Sequence, residues 1–425
     1  MAMQLRQYLS GRSAVPAREL REALEISPAT LSRLVAAEQG TVLTLGRGRA
    51  TRYALPRPVS GLAARIPVYR VGADGRATEA AALVPLQDGG SWIEPQHGGG
   101  HAHVGLPPVV HDMAPSGYLG RRFAAGNPDL ELPERLQDWN DDHCLIALAR
   151  RGEDCAGNLI LGEESLERFL ARQPENVSEQ DYPRLADRSA AGGAGSSAAG
   201  EQPKFTAFRE GHHYLVKFTP GDASPSDLRW RDLLACEALA LDTLRKAGIA
   251  AAQARTVDVV NRRFLEVQRF DRIGARGRRG VLTLGPLDDD LFGKRDSWSE
   301  AATRFNTARL LNSDDARRIR LLETFGMLIA NSDRHFGNLS FFADGLQERP
   351  RLLLAPAYDM LPMAAAPVAG HVPDLPPPPT APAAKLLDVW DQAAVLAREF
   401  WRRVAEDLRI SEAFRHMATE RAARA

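Results

Sequence analysis

The sequence predicts an α+β protein of two or three domains, in which a small helical module with a β-hairpin precedes a larger region of strand pairs and long helices. Three observations carry that expectation. The chain has 425 residues, more than one hydrophobic core ordinarily organises. Residues 1–56 carry three short helical patterns followed by two strand-like runs. Far downstream, Asn331-Ser332-Asp333-Arg334-His335-Phe336-Gly337-Asn338 lies between an apolar helix-like run and the strand-like Leu339-Ser340-Phe341-Phe342, with Tyr358-Asp359 following.

Composition narrows the class. With 44% apolar and 25% charged residues, the chain is that of a soluble globular protein. Its formal net charge of zero excludes a global attraction to nucleic acid, so any basic surface must be local. Cys144, Cys155 and Cys236 are scattered and lack metal-ligand spacing, so a disulfide framework is not expected and a cytoplasmic location is. No signal peptide, bilayer-spanning run or internal repeat is visible, and no membrane partner is expected.

The first module spans residues 1–56. Met3, Leu5, Tyr8 and Leu9 make one helical face. Residues 13–24 read as a second helix, with Leu20 and Leu24 inward. Ser27-Pro28 reads as an N-cap with proline at the first helical position, opening a third helix that Gly40 stops. Residues 42–45 and 51–55 read as a hairpin about Gly46-Arg47-Gly48-Arg49. That order is the winged helix-turn-helix order, whose third helix enters the DNA major groove while the wing lies on phosphates. Arg33, Arg47, Arg49 and Arg52 suit backbone contacts. A helical module for protein contacts is the other reading. Such modules often bind palindromes as pairs, so a homodimer is compatible with it.

Residues 57–185 read as a mixed α/β region without chemistry of its own. Its Gln96 to His103 stretch is expected as a glycine-flanked loop, and no carboxylate or cysteine stands at metal-ligand spacing beside its histidines. Residues 186–275 change character. Small residues from Ala186 to Lys204 would either cover a nucleotide's phosphates or serve as a linker. Residues 205–208 and 213–218 then read as a strand pair. Lys217 sits in the second strand among apolar neighbours, where it is either an edge-strand lysine reaching solvent or a buried ammonium that needs an anionic partner. A phosphate, together with Glu237 on the amphipathic helix of residues 227–246, would supply it. Residues 256–260 and 264–270 read as another strand pair, ending in a segment that would meet an adenine edge.

Residues 276–425 hold the acidic loop. Asp288, Asp289 and Asp290 are expected on a loop over residues 274–300 that would either admit a substrate or simply be solvated, residues 364–384 on an extended proline-rich surface loop, and residues 393–424 in basic amphipathic helices. An Asp, a downstream Asn and a second Asp after a strand are what phosphoryl transfer from a nucleotide requires. One carboxylate, Asp333, accepts the proton of the attacking hydroxyl, while the Asn338 amide and the Asp359 carboxylate hold Mg²⁺. Each residue alone is an ordinary turn former; the joint set carries the expectation.

Assembled, these residues resemble the HipA family of bacterial serine/threonine kinases over roughly residues 65–415. The quoted motifs are Ser197 to Lys204, Tyr214-Leu215-Val216-Lys217, Gln268-Arg269-Phe270-Asp271-Arg272, the Asp333 to Asn338 loop and Ala357-Tyr358-Asp359. The resemblance implies a bilobal protein-kinase-like, phosphatidylinositol-kinase-like fold, with ATP and Mg²⁺ as cofactors and a protein Ser or Thr as substrate. It places Ser197, Ala199, Gly200, Gln202, Lys204 and Lys217 on ATP, and Glu266 to Phe270 at the adenine, with Gln268, Arg269 and Phe270 binding it. It makes Asp333 the catalytic base, Asn338 and Asp359 the metal ligands and His335 a support for the loop. Ser197, with Ser196 beside it, falls at the family's inhibitory autophosphorylation position. The N-terminal DNA-binding module on the same chain resembles the fused YjjJ/HipH-like subgroup. The alternative expectation is a DNA-binding transcriptional regulator whose kinase-like region senses nucleotide without consuming it. Direct damage to DNA by the C-terminal region ranks last.

Overall fold

A computed structural model describes every residue except Met1, Arg47, Gly98, residues 191–201, Thr380 and Ala425, together with the side chains of Arg49 and Arg424. The chain opens with helices Ala2–Leu9, Ala17–Leu24 and Pro28–Ala37 and a three-stranded sheet in the order Val15–Pro16, Arg52–Ala54, Leu43–Leu45. Leu5, Leu9, Leu20 and Leu31 close its core. The Ser27 hydroxyl accepts from the Thr30 amide at 3.2 Å, with Pro28 next in line, as a capped helix start requires. The second helix begins at Ala17 instead of Ser13, because Val15 and Pro16 pair with Tyr53 and Arg52. A second small core joins Ala14, Leu45 and Ala54 to Val84 and Trp92 of the next sheet and to Leu86 in the turn between their strands.

That sheet has five antiparallel strands, ordered His101–His103, Ser91–Pro95, Ala77–Pro85, Ile66–Val71, Leu159–Leu161. The histidine stretch expected as a loop supplies its edge strand, and His103 Nδ1 lies 3.0 Å from Asp290.

A four-stranded antiparallel sheet follows, ordered Ala254–Val259, Arg262–Gln268, His212–Phe218, Lys204–Arg209, with helix Pro225–Lys246 against it. One face of this sheet carries Phe205, Val216, Phe218 and Phe264 under Tyr182. Residues alternate faces along a strand, so Lys217 and its cross-strand partner Leu265 occupy the other. Leu265 and Val267 join the large core with Leu233 and Leu241 of the long helix.

The rest is helical around a small sheet, ordered Val281–Thr283, Ser340–Phe342, Leu353–Leu354. Helices Ser313–Leu328 and Leu387–Glu406 bury Phe325, Phe400 and Trp401 between them. The stretch expected as a loop over residues 274–300 contains the strand Val281–Thr283 and helix Leu284–Leu291. Asp288 is fully buried there, not solvated. It accepts from the Lys294 and Arg295 amides and pairs with Arg304 at 2.6 Å, which folds the acidic run back as a turn. Among the described residues no helix is long and apolar enough to cross a membrane.

Candidate active site

Strand alternation puts Lys217 into the cleft between the four-stranded sheet and the helical lobe. Its side chain is 7% exposed. Nζ donates to both Glu237 oxygens, at 2.8 and 2.7 Å, and also bonds the Asp359 carboxylate. Burial opposes the ammonium's charge, but Asp359 and Glu237 outweigh it and hold Lys217 above the ordinary lysine range. Burial raises Glu237, and the neighbouring Asp359 adds to that rise. Asp359 goes the other way: burial opposes its charge, but Lys217 draws its carboxyl below the usual range. One ammonium thus serves two carboxylates.

The acidic loop begins where helix Ser313–Leu328 ends, at Ala330 in the left-handed region with φ 58°. Asn331, fully buried, ties two loops together. Its Nδ2 donates to the Asp359 carbonyl at 3.1 Å and its Oδ1 accepts from the Asp333 amide at 3.0 Å. Asn338 Nδ2 donates to the Asp333 carbonyl at 2.8 Å, closing the loop on itself. The Gly337 amide donates to His335 Nδ1 at 3.0 Å, and Trp298 Nε1 donates to the His335 carbonyl at 3.1 Å. The Tyr358 hydroxyl donates to the Gly337 carbonyl at 2.7 Å and lies 2.7 Å from Ser340 Oγ. Asp359 itself has φ 52°, a conformation that costs a non-glycine residue about 1 kcal/mol or more and persists only where neighbours impose it.

Asp333 is half-exposed, with Oδ2 3.8 Å from His335 Nε2. Burial raises its pKa, the Asp359 charge adds to the rise, and His335 and Lys217 offset it in part. A carboxylate raised in this way is a better proton acceptor near neutral pH.

The remaining expected site residues divide. Ser197, Ala199 and Gly200, with Ser196, lie outside the described residues. Gln202 is buried, and its Nε2 donates to the Phe218 carbonyl, bracing a strand end. Lys204 stands opposite Lys217 in the strand register, and its charge contributes to lowering Asp359. Phe270 packs on Tyr358 with ring centroids 5.7 Å apart, next to Asp359.

Gln268 and Arg269 do not bring their side chains to this cluster. Gln268 Nε2 meets His212 Nδ1 at 3.0 Å. Arg269 binds Asp271 through Nη2 at 3.0 Å and Asp154 through Nη1 at 3.3 Å. Glu266 pairs with Val216 in register, hence on the face away from Lys217. There it meets Arg255 at 2.6 Å and Arg209 at 3.4 Å.

In the N-terminal module Arg33 is exposed on helix Pro28–Ala37, with Nε 3.4 Å from the Ala29 carbonyl. Arg52 is exposed and donates to the Ala14 carbonyl at 3.1 Å. Arg47 and the side chain of Arg49 lie outside the described residues.

Asn331 and Tyr358 were quoted in the motifs without a role. An asparagine before an acidic turn is ordinary, but its place after an apolar helix run was the available signal that its amide would be buried and fully used.

A protein whose cleft joins a buried lysine–glutamate pair to two acidic loops, beside a second sheet domain, belongs to a definite class. Residues 196–424 match the HipA-like C-terminal domain, and the chain belongs to that HipA-like family. Residues 62–170 match the YjjJ-like toxin middle domain. Across 426 aligned residues the chain is 37% identical to Toxin YjjJ of Escherichia coli strain K12, covering 97% of this chain and 94% of that one. The fold is similar to that of HipA from Shewanella oneidensis MR-1, solved with HipB and its operator DNA. That likeness has a TM-score of 0.55 at 16% identity, over 84% of this chain and 96% of the other.

Proposed function

We propose that this protein is an ATP- and Mg²⁺-dependent serine/threonine protein kinase of HipA toxin type, which phosphorylates a protein hydroxyl and itself at Ser197 or the adjacent Ser196. The observation that carries the reading is the Lys217–Glu237–Asp359 cluster, joined through Asn331 to the loop of Asp333 and Asn338. Membership of the HipA-like family supports it. In this reading residues 186–275 form the nucleotide lobe and residues 276–425 the catalytic lobe, behind a DNA-binding module (1–56) and an α/β region (57–185).

The residues fit the two cofactors. The Asp359 carboxylate suits a divalent cation, and Asn338, its amide nitrogen taken by the Asp333 carbonyl, keeps its oxygen as the second ligand. Mg²⁺ would supply charge neutralisation on the transferring phosphate. Lys217, steered by Glu237, holds a phosphate oxygen. Asp333 orients the substrate hydroxyl and takes its proton, and the phosphoryl group passes to that oxygen as ADP leaves. The Asn331 and Tyr358 hydrogen bonds hold both loops in place without a substrate.

The test is to incubate wild type and Asp333→Ala with labelled ATP and host lysate. The variant is expected to transfer about 10²- to 10⁴-fold less phosphate, the usual worth of a general base. Equal labelling by the two proteins overturns the proposal.

A DNA-binding role for residues 1–56 is favoured by the exposed Arg33 on the third helix and by the relative solved with its operator. It predicts duplex binding that weakens steeply with salt and that Arg33→Ala reduces. If ATP alters duplex affinity but is never consumed, the nucleotide-sensing regulator replaces the kinase.

A further inference from the structure

Residues 57–185, which read as a region without chemistry of its own, send one carboxylate into the helical lobe. Helix Pro108–Met113 buries Val109, Val110 and Met113 in the large core together with Leu282, Leu284 and Phe336. It packs against strand Val281–Thr283 and helix Leu284–Leu291, and both of these pack against the turn Phe336–Asn338. Asp112 is the polar residue of that contact. The Thr283 amide donates to its Oδ2 and the Thr283 hydroxyl to its Oδ1.

A relay continues from there to the acidic loop. Thr283 pairs with Ser340 across the antiparallel strands, and the Leu284 amide donates to the Leu339 carbonyl at 2.8 Å. The Tyr358 hydroxyl uses its one proton on the Gly337 carbonyl, so Ser340 Oγ is the donor across the 2.7 Å between those two hydroxyls. The carbonyl held in this way belongs to the planar peptide unit that enters Asn338. Burial raises the Tyr358 hydroxyl above the usual tyrosine range, the Ser340 bond offsets part of it, and the Asp359 and Asp112 charges add to the rise. Asp112 is thus within electrostatic reach of the ring that braces the loop.

We propose that Asp112 is a positioning residue for phosphate transfer: through Thr283, Ser340 and Tyr358 it fixes the peptide between Gly337 and Asn338. The middle region then completes the catalytic loop instead of merely sitting beside it. This inference rests on the kinase reading above. Asp112 touches no reacting atom; it acts on where Asn338 stands, and a shift of about 1 Å in a catalytic group can cost about 10²-fold in rate. A clamp that served stability alone would leave turnover untouched.

The experiment measures label transfer from ATP to host-lysate proteins by the full-length chain, above the Asp333→Ala background and over a range of ATP. Asp112→Ala and Tyr358→Phe are each expected to lower the maximal rate about 10- to 10²-fold, while half-saturating ATP shifts less than about threefold because Lys217 and Glu237 keep their bonds. Residues acting in one network are not additive, so the double variant should be no slower than the slower single one. Thr283→Val keeps its amide donor and removes no charge; its rate is expected to fall too, which covers misfolding of Asp112→Ala. Asp154→Ala, which loosens the middle region elsewhere, should stay near wild type. Losses that multiply in the double variant overturn the proposal, as do wild-type rates in both Asp112→Ala and Thr283→Val, or an equal loss in Asp154→Ala. In those cases wild type is active and the kinase reading stands. A wild type that transfers no label overturns that reading, and the inference with it.

Discussion

Lys217 illustrates how one buried charge organises its surroundings. Its ammonium compensates Glu237 and Asp359 together, so removing it strands both carboxylates. Lys217→Met is expected to lose about 3–5 kcal/mol of stability at pH 8, as broken buried pairs do. The carboxylates left behind have folded pKa values above their unfolded ones. Protonation relieves them, so the deficit should shrink towards pH 5. Urea unfolding at the two pH values measures this, and a pH-independent deficit would contradict it.

Asp112 gives a second pH signature. Burial pushes its carboxyl up to about 6, although the Thr283 hydroxyl and amide both donate to it. A raised carboxyl stabilises the fold below the unfolded value of 3.8, and that contribution is lost as pH climbs from there through about 6. Relative to Asp112→Asn, wild type is expected to lose on the order of 3 kcal/mol between pH 3.5 and pH 7.5. Parallel slopes for the two proteins would refute it. Lys217 and Glu237 were legible in the sequence, because a lysine in an apolar strand requires an anion and the long helix offers one. Asp112 was not, since its burial arises from a strand more than 160 residues away.

At the scale of elements, the turn after strand Arg262–Gln268 is clamped to the middle region by one acid. Asp154 accepts from Arg269 at 3.3 Å and Arg272 at 3.1 Å, and lies 3.7 Å from Arg172. Burial opposes its charge, but these arginines hold it well below the usual carboxylate range. Asp154→Ala is expected to cost about 1.5–3 kcal/mol, because Arg269 and Arg272 lose one of their two acids and keep only Asp271, read as a lower urea midpoint. Its phosphate transfer, if any, should fall far less than that of Asp333→Ala. The resemblance implied Gln268 and Arg269 at the adenine. Their side chains contact His212 and the Asp154–Asp271 pair, because successive strand residues face opposite ways and Arg269 has two acids within reach. The acidic run at 288–290 misled for a related reason: Asp288 caps its own following turn from inside, a role that composition does not reveal. The hairpins and long helices, by contrast, were legible from period and capping alone.

Across the whole molecule, the N-terminal module is more than an appendage. Val84 and Trp92 of the five-stranded sheet and Leu86 in the turn between their strands are buried together with Ala14, Leu45 and Ala54 of the module. A chain lacking residues 1–56 would bare that patch, so it is expected to bind more hydrophobic dye and to aggregate sooner than the full chain. Dye fluorescence and light scattering check this, and indistinguishable behaviour would contradict it. Loss of duplex binding on truncation is therefore weaker support for a DNA-contacting helix than its loss in Arg33→Ala.

The single side chain of Asn331 acts as a yoke. With one hand on the backbone of Asp359 and the other on that of Asp333, it makes the spacing of the two acids a property of the fold rather than of whatever later sits between them. Neither loop can drift outward alone, and a partner entering the cleft meets a gap already cut to width.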